Sequence, residues 1–90
     1  MPQLKEVKLR NVGIDGIVRP KEKDEEISKL IAHVLSTESG KEMMRYLRSI
    51  TIERVNGPNV TGKELRHLEG QRYIVGLLEK RADHGNRSKT

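Results

Sequence analysis

The stretch that decides the fold is residues 61–81, TGKELRHLEGQRYIVGLLEKR. Thr61 can accept a hydrogen bond from the backbone amide of Glu64, and the Glu64 carboxylate can reach back to the amide of Thr61, which makes a capping box. Apolar side chains then recur at helical spacing, and these are Leu65, Leu68, Ile74, Val75, Leu78 and Ala82. The pattern predicts one long helix over residues 62–82.

Two glycines lie inside this predicted helix, and each lowers helix stability by roughly 1 kcal/mol relative to alanine. Either another helix of the same molecule packs closely against Gly70 and Gly76, or a second subunit does. Leu77 lies off the main apolar stripe and belongs to a second, narrower face of the helical wheel. That face consists of Arg66, Gly70, Tyr73 and Leu77. We expect it to bind a partner.

Length and composition limit the chain to one small domain. The 90 residues are 33% apolar and 34% charged, with no Phe, Trp or Cys. A core of aliphatic side chains alone is small, and small domains bury a low fraction of their surface. The sequence contains no apolar signal-peptide core, no run of about 18 apolar residues that could span a membrane, and no thiol for disulfides or metals. We therefore expect a protein of a reducing cytoplasm that makes no membrane contact and is completed by a partner.

Residues 1–23 are predicted to form an extended N-terminal arm. Val7 and Leu9 alternate with charged residues, and Gly13 and Gly16 mark turns. The arm either packs back on the helices or adds to a neighbouring molecule. We favour the neighbour, because a small helical body offers an apolar arm little surface to cover. The candidate partner-binding residues of the arm are Val7, Leu9, Val12 and Ile14.

Two shorter helices are predicted before the long one, at 24–36 and 38–50, with Asp24 and Thr37 as their N-caps. The apolar stripe of the first is Ile27, Leu30, Ile31, Val34 and Leu35. That of the second is Gly40, Met43, Met44, Leu47 and Ile50, of which we assign Met43 and Met44 to the core rather than to a binding surface. Residues 83–90 are predicted to be a flexible tail. The expected fold is mostly α, a three-helix body over 24–82 with a long C-terminal helix and an extended N-terminal arm.

Chemistry is sparse in this sequence. The three histidines lack the spacing of a metal site, and no nucleophile or phosphate-loop motif is present. We therefore predict no catalytic residue, no metal and no cofactor. Lys41, Arg45 and Arg48 fall on one face of the second helix and could contact nucleic-acid phosphates. The alternative is an ordinary solvated helix face.

Two segments resemble a family of small tailed-phage structural proteins, the one typified by a Bordetella podovirus protein. They are LSTESGKEMMRYL at 35–47 and LRHLEGQRYIVGLLEKR at 65–81. The shared pattern is a Thr-capped helix with a glycine and a basic residue, then, after a variable loop, a helix containing Glu-Gly-x-Arg. The matching residues here are Thr37, Gly40, Lys41, Glu69, Gly70 and Arg72.

This resemblance implies a location rather than a chemistry. Proteins of this family are encoded among head and portal genes, so the chain is expected to be a multi-copy virion component at the portal or the internal ejection core. Its expected partners are phage structural proteins and copies of itself, with weak, nonspecific DNA contact in addition. It would occupy the host cytoplasm during assembly and then the virion. The alternatives are a small basic nucleic-acid-binding module, or an assembly chaperone or scaffold released before maturation.

Overall fold

The computed structural model describes residues 12–87, and these form three helices. They are α1 (Lys21–Ser36), α2 (Glu38–Ile50) and α3 (Gly62–Arg87). The mostly helical fold class with a long C-terminal helix is confirmed. Val7 and Leu9 of the predicted arm lie outside the described residues. Within residues 12–87, no helix has both the length and the hydropathy needed to cross a membrane.

Helix α1 begins at Lys21, earlier than predicted. Pro20 occupies the N-cap position with φ −55°, and the amides of Lys23 and Asp24 donate to its carbonyl at 3.0 and 3.1 Å. A fixed φ near −65° preorganises proline for the start of a helix. The predicted N-cap, Asp24, is wrong, because its carboxylate binds Arg19 and Arg81 instead.

The corner between α1 and α2 is a single residue, Thr37. Its hydroxyl donates to the Val34 carbonyl (2.7 Å) and accepts from the Gly40 amide (3.0 Å), which confirms Thr37 as the N-cap of α2. The Gly40 backbone lies directly against the Val34 carbonyl and Leu35 Cα, so a side chain at this position would clash. Gly40 therefore permits the two helices to meet without a loop.

Helix α3 begins where its capping residue predicts and ends later. The amide of Glu64 donates to the Thr61 hydroxyl at 3.1 Å, so that half of the capping box is confirmed. The helix continues to Arg87, and residues 83–87, which we assigned to a flexible tail, are helical. Helix α3 continues past residue 82 because Gly85 is buried against the backbone of Ser28.

The core is thin and differs from the predicted stripes. Among the described residues the buried apolar side chains are Ala32, Met44, Leu68 and Val75. The buried side of α1 is Asp24, Ser28 and Ala32, whereas Leu30 of the predicted stripe is 62% exposed. Small side chains let α1 approach α3 closely at Gly85, which turns the larger aliphatic residues of α1 toward the edge of the contact. Leu30 and Val34 of the predicted stripe are therefore exposed and lie outside the core.

The predicted core stripe of α2 is also only partly buried. Gly40 and Met44 are buried and Leu47 is half-buried, but Met43 and Ile50 are exposed. Helix α2 makes few contacts with either neighbour, whereas α1 and α3 pack extensively on each other. The assignment of Met44 to the core is therefore confirmed and that of Met43 is wrong.

The three helices form a flat body. Its extents are 50 × 36 × 14 Å, and its radius of gyration is 16.4 Å. A compact chain of this length would have a radius of gyration of about 12 Å. A thin plate has a large surface for its volume, so much of its apolar side-chain area has no intramolecular cover.

Candidate functional site

Arg81 lies at the centre of a buried ion-pair cluster. Its side chain is 2% exposed, and its Nη2 binds Asp24 Oδ1 at 2.7 Å and Asp15 Oδ2 at 3.1 Å. Its Nη1 donates to the Ser28 hydroxyl at 3.0 Å and to the Asp24 carbonyl at 2.9 Å. Arg19 completes the cluster by bridging Asp15 and Asp24. We call these five residues the arm lock, because they join the chain before α1 to both α1 and α3.

The segment held by the arm lock is a tight turn closed by a bridge between Val12 and Val18. The Gly13 amide donates to the Ile17 carbonyl at 2.9 Å, and Gly16 has a φ of +82°, which glycine adopts readily. Both predicted turn positions are confirmed. This part of the arm packs on its own helices through polar groups, and our preference for a neighbouring molecule stays a prediction.

The two predicted arm residues that the structure describes are placed differently. Val12 is exposed, whereas Ile14 is half-buried in a small depression that is also lined by His84. The arm lock thus leaves Val12, Ile17 and Val18 uncovered on the outside of the turn. The apolar side of the arm remains available to a partner.

Ionisation of the two aspartates is coupled to folding. The Arg19 guanidinium, the Ile17 amide and Arg81 hold the pKa of Asp15 well below its usual range, and the hydrogen bond from Arg81, followed by Arg19, lowers the pKa of Asp24. A carboxylate with a depressed folded-state pKa contributes stability above its unfolded pKa, about 3.9 for aspartate. That contribution is lost as the pH falls from this value toward the folded-state pKa.

Acidification should therefore weaken the arm lock. We expect the midpoint of urea unfolding, followed by circular dichroism at 222 nm, to fall more between pH 5 and pH 3 in the wild type than in Asp15→Asn. The variant lacks one of the two carboxylates that must be protonated, and so has less pH-dependent stability to lose. Equal losses in the two proteins would contradict the assignment of Asp15 to the lock.

The second predicted partner-binding face lies on the outside of α3. Arg66 and Gly70 are exposed, Tyr73 is 56% exposed and Leu77 is half-buried. A Cβ added at Gly70 or Gly76 would meet no atom within 4 Å. Within residues 12–87, close packing does not explain either glycine, and Arg66, Gly70 and Tyr73 of this face are exposed.

Uncovered apolar side chains are present on every helix. On the described residues the large ones that are exposed include Leu30, Val34, Met43, Tyr46, Ile50, Leu65, Tyr73 and Ile74. Single exposed apolar residues are normal on a protein surface, but extensive exposure beside a core of only Ala32, Met44, Leu68 and Val75 is not. Residues 12–87 therefore leave an extensive apolar surface exposed.

The basic stripe predicted on α2 is neutralised by acidic partners. Lys41 pairs with Glu38 at 3.8 Å, Arg45 pairs with Glu42, and Arg48 binds both carboxylate oxygens of Glu79 at 2.7 Å. A second carboxylate, Glu53, also contacts Arg48 at 3.2 Å. Phosphates would have to compete with these carboxylates for the stripe.

Among the residues that carry the family resemblance, Arg72 has a clear structural role. Its Nε donates to the Thr51 carbonyl at 2.9 Å and its Nη2 to the Arg54 carbonyl at 2.8 Å, while Glu69 orients it at 2.7 Å. Arg72 thereby fixes the connection between α2 and α3. Val55, in the same connection, is 91% exposed and contributes little to holding it.

The arm lock and the packing of Gly85 were missed in the sequence. Their signal is a polar and small stripe, Asp24, Ser28 and Ala32, with four-residue spacing on α1. It faces Arg81 and Gly85, which also have four-residue spacing on α3. Within the described part of the chain, no group of His, Asp and Glu side chains has the proximity needed to hold a metal ion.

No protein-family model, no curated protein and no solved structure matches the chain.

Proposed function

We propose that the protein is a non-enzymatic structural component of a phage virion, present in several copies and docked at the portal or the internal ejection core. The observation that supports an interaction role is the uncovered apolar surface on all three helices of a thin plate. Its location in a phage particle rests on the resemblance of residues 35–47 and 65–81 to tailed-phage structural proteins.

The contacts are assigned to two surfaces. One is the outer face of α3, which consists of Arg66, Gly70, Tyr73 and Leu77. The glycine there lets a partner approach the helix backbone, and the tyrosine offers a large amphipathic contact. The other is the N-terminal arm, whose turn is held in place by the arm lock. Because the lock fixes the base of the arm, less conformational entropy is lost when the preceding residues bind a partner.

Deletion of the residues before Val12 tests partner binding while leaving the arm lock, and therefore folding, intact. A chain that begins at Val12 retains Asp15 and Arg19 but lacks Leu4, Val7 and Leu9. Burial of each such side chain is worth roughly 1.5–3 kcal/mol in a partner groove. We expect the shortened chain to keep its helical circular dichroism and its urea midpoint, yet to enter particles poorly when it complements a phage that lacks the gene.

A chain beginning at Pro20 is the comparison, because it also removes Asp15 and Arg19 from the arm lock. It should remain helical and soluble but be less stable than the chain beginning at Val12. If the chain beginning at Val12 enters particles as well as the full-length protein, the arm is dispensable and the contacts must lie on the outer face of α3. Tyr73→Glu would then be the variant that fails to enter particles.

A further inference from the structure

A second basic surface lies in the groove between the connection after α2 and the first turns of α3. Arg54 lines the groove from the connection, and Lys63 and Arg66 line it from α3. We propose that this groove binds the phosphate backbone of a duplex nucleic acid. The inference goes beyond the proposed virion role, because it does not depend on where the protein is located.

The cations of the groove differ from most others in the molecule because they have no acidic partner. Most arginines of the described residues pair with carboxylates, including all those of the arm lock and both arginines of the stripe on α2. Among residues 12–87, the lysine and arginine side chains for which no carboxylate lies within 4 Å are Lys21, Lys29, Arg54, Lys63, Arg66 and Lys80. Three of these six, Arg54, Lys63 and Arg66, line the groove. Their charge is therefore available to an external anion.

The shape and the polar groups of the groove suit such an anion. Its volume is about 610 Å³, and Leu68, which is buried, lies beneath it. Asn56 and Gln71 add amide groups to the lining, and Gln71 Nε2 donates to the His67 ring at 3.3 Å. Glu64 is the single carboxylate among the described lining residues, against three cations. The groove thus has a net positive charge and several hydrogen-bond donors.

The donor set favours phosphate. Guanidinium groups such as those of Arg54 and Arg66 match the tetrahedral oxygens of a phosphate with paired hydrogen bonds. The described residues that line the groove include no Phe, Tyr or Trp, and the single imidazole, His67, is hydrogen-bonded to Gln71, so single-stranded bases would find little to stack on. Contact with backbone phosphates alone is sequence-independent and strongly dependent on salt. We therefore expect weak, nonspecific binding of a duplex.

The test compares three full-length variants by fluorescence anisotropy with a labelled 20-base-pair DNA duplex, titrated over a range of salt concentrations. The groove variant is Lys63→Gln with Arg66→Gln, and the matched control is Lys29→Gln with Lys80→Gln, which removes the same charge from cations that are likewise unpaired. A third variant, Lys41→Gln with Arg45→Gln, removes the paired stripe. The groove variant should bind at least about tenfold more weakly at low salt, with the slope of log K against log[salt] reduced by about 1.8. The other two should stay close to the wild type.

Several results would overturn the proposal. They are absence of DNA binding by the wild type, an unchanged salt slope in the groove variant, and an equal loss in the Lys29/Lys80 control. Polyglutamate that displaces the duplex as well as an equal charge of competitor DNA would assign the groove to an acidic protein instead. Retained binding in the groove variant with loss in the Lys41/Arg45 variant would place the contact on α2. Each result is independent of whether the protein enters a virion.

Discussion

Replacing Arg81 by glutamine is expected to lower the free energy of unfolding by about 3–5 kcal/mol, the usual cost of removing one partner from a buried ion pair. The variant loses the charge that Asp24 requires at 2.7 Å and leaves the Ser28 hydroxyl and the Asp24 carbonyl without their donor. A small domain has only about 5–15 kcal/mol of stability in total. The variant should therefore be largely or partly unfolded near 37 °C, which a urea titration followed by circular dichroism would measure.

The matched control is Arg45→Gln, which also removes an ion-paired arginine, but from an exposed pair with Glu42. Exposed pairs contribute about 0–1 kcal/mol, so its urea midpoint should be close to that of the wild type. If Arg81→Gln and Arg45→Gln were equally stable, the arm lock would not be what holds α1, α3 and the turn together.

Replacing Gly85 by alanine is expected to destabilise the protein by about 1–3 kcal/mol, although alanine is the better helix former. An added Cβ would overlap the Ser28 carbonyl and lie 2.9 Å from the Ala32 methyl group. The carbonyl belongs to the backbone of α1, so the two helices would have to separate. Hydrogen exchange of residues 83–87 should rise as the end of α3 loses its support.

Replacing either of the other two interior glycines of α3 by alanine should raise the free energy of unfolding rather than lower it. Gly70→Ala and Gly76→Ala add a Cβ in open space, so each should raise the free energy of unfolding by about 0.5–1 kcal/mol through helix propensity alone. Thermal unfolding of the three variants side by side gives the comparison. Destabilisation by Gly70→Ala would mean that an intramolecular contact covers the outer face of α3.

The positions of the helices could be predicted because their signals are local. The Thr37 and Thr61 caps and the apolar periodicity set the start of α2, the start of α3 and the type of each element. The buried side of α1 could not be predicted in this way. Hydrophobicity favours Leu30 over Ser28, whereas the structure buries Ser28 completely and exposes Leu30, because Gly85 requires a small neighbour. That preference depends on a residue of another helix, distant in sequence.

The same distinction between local signals and contacts distant in sequence applies to the candidate sites. Ion pairs with three-residue spacing, such as Glu38 with Lys41, follow from helical geometry and could have been recognised as neutralising the predicted stripe. The pair of Arg81 with Asp24 joins residues separated by 57 positions, and nothing in the local sequence specifies it. Position on the helical wheel does not by itself account for the exposure of the outer face of α3, because Leu65 and Ile74 of the main apolar stripe are exposed as well.

Quantitative mass spectrometry of purified mature virions and of procapsids would test the proposal that the protein is a lasting component of a phage particle. We predict that peptides of this chain occur in mature virions in a fixed ratio to the portal subunit, with several copies in each particle. Presence in procapsids with absence from mature virions would instead identify an assembly chaperone or scaffold. Absence from both would contradict a role in the particle.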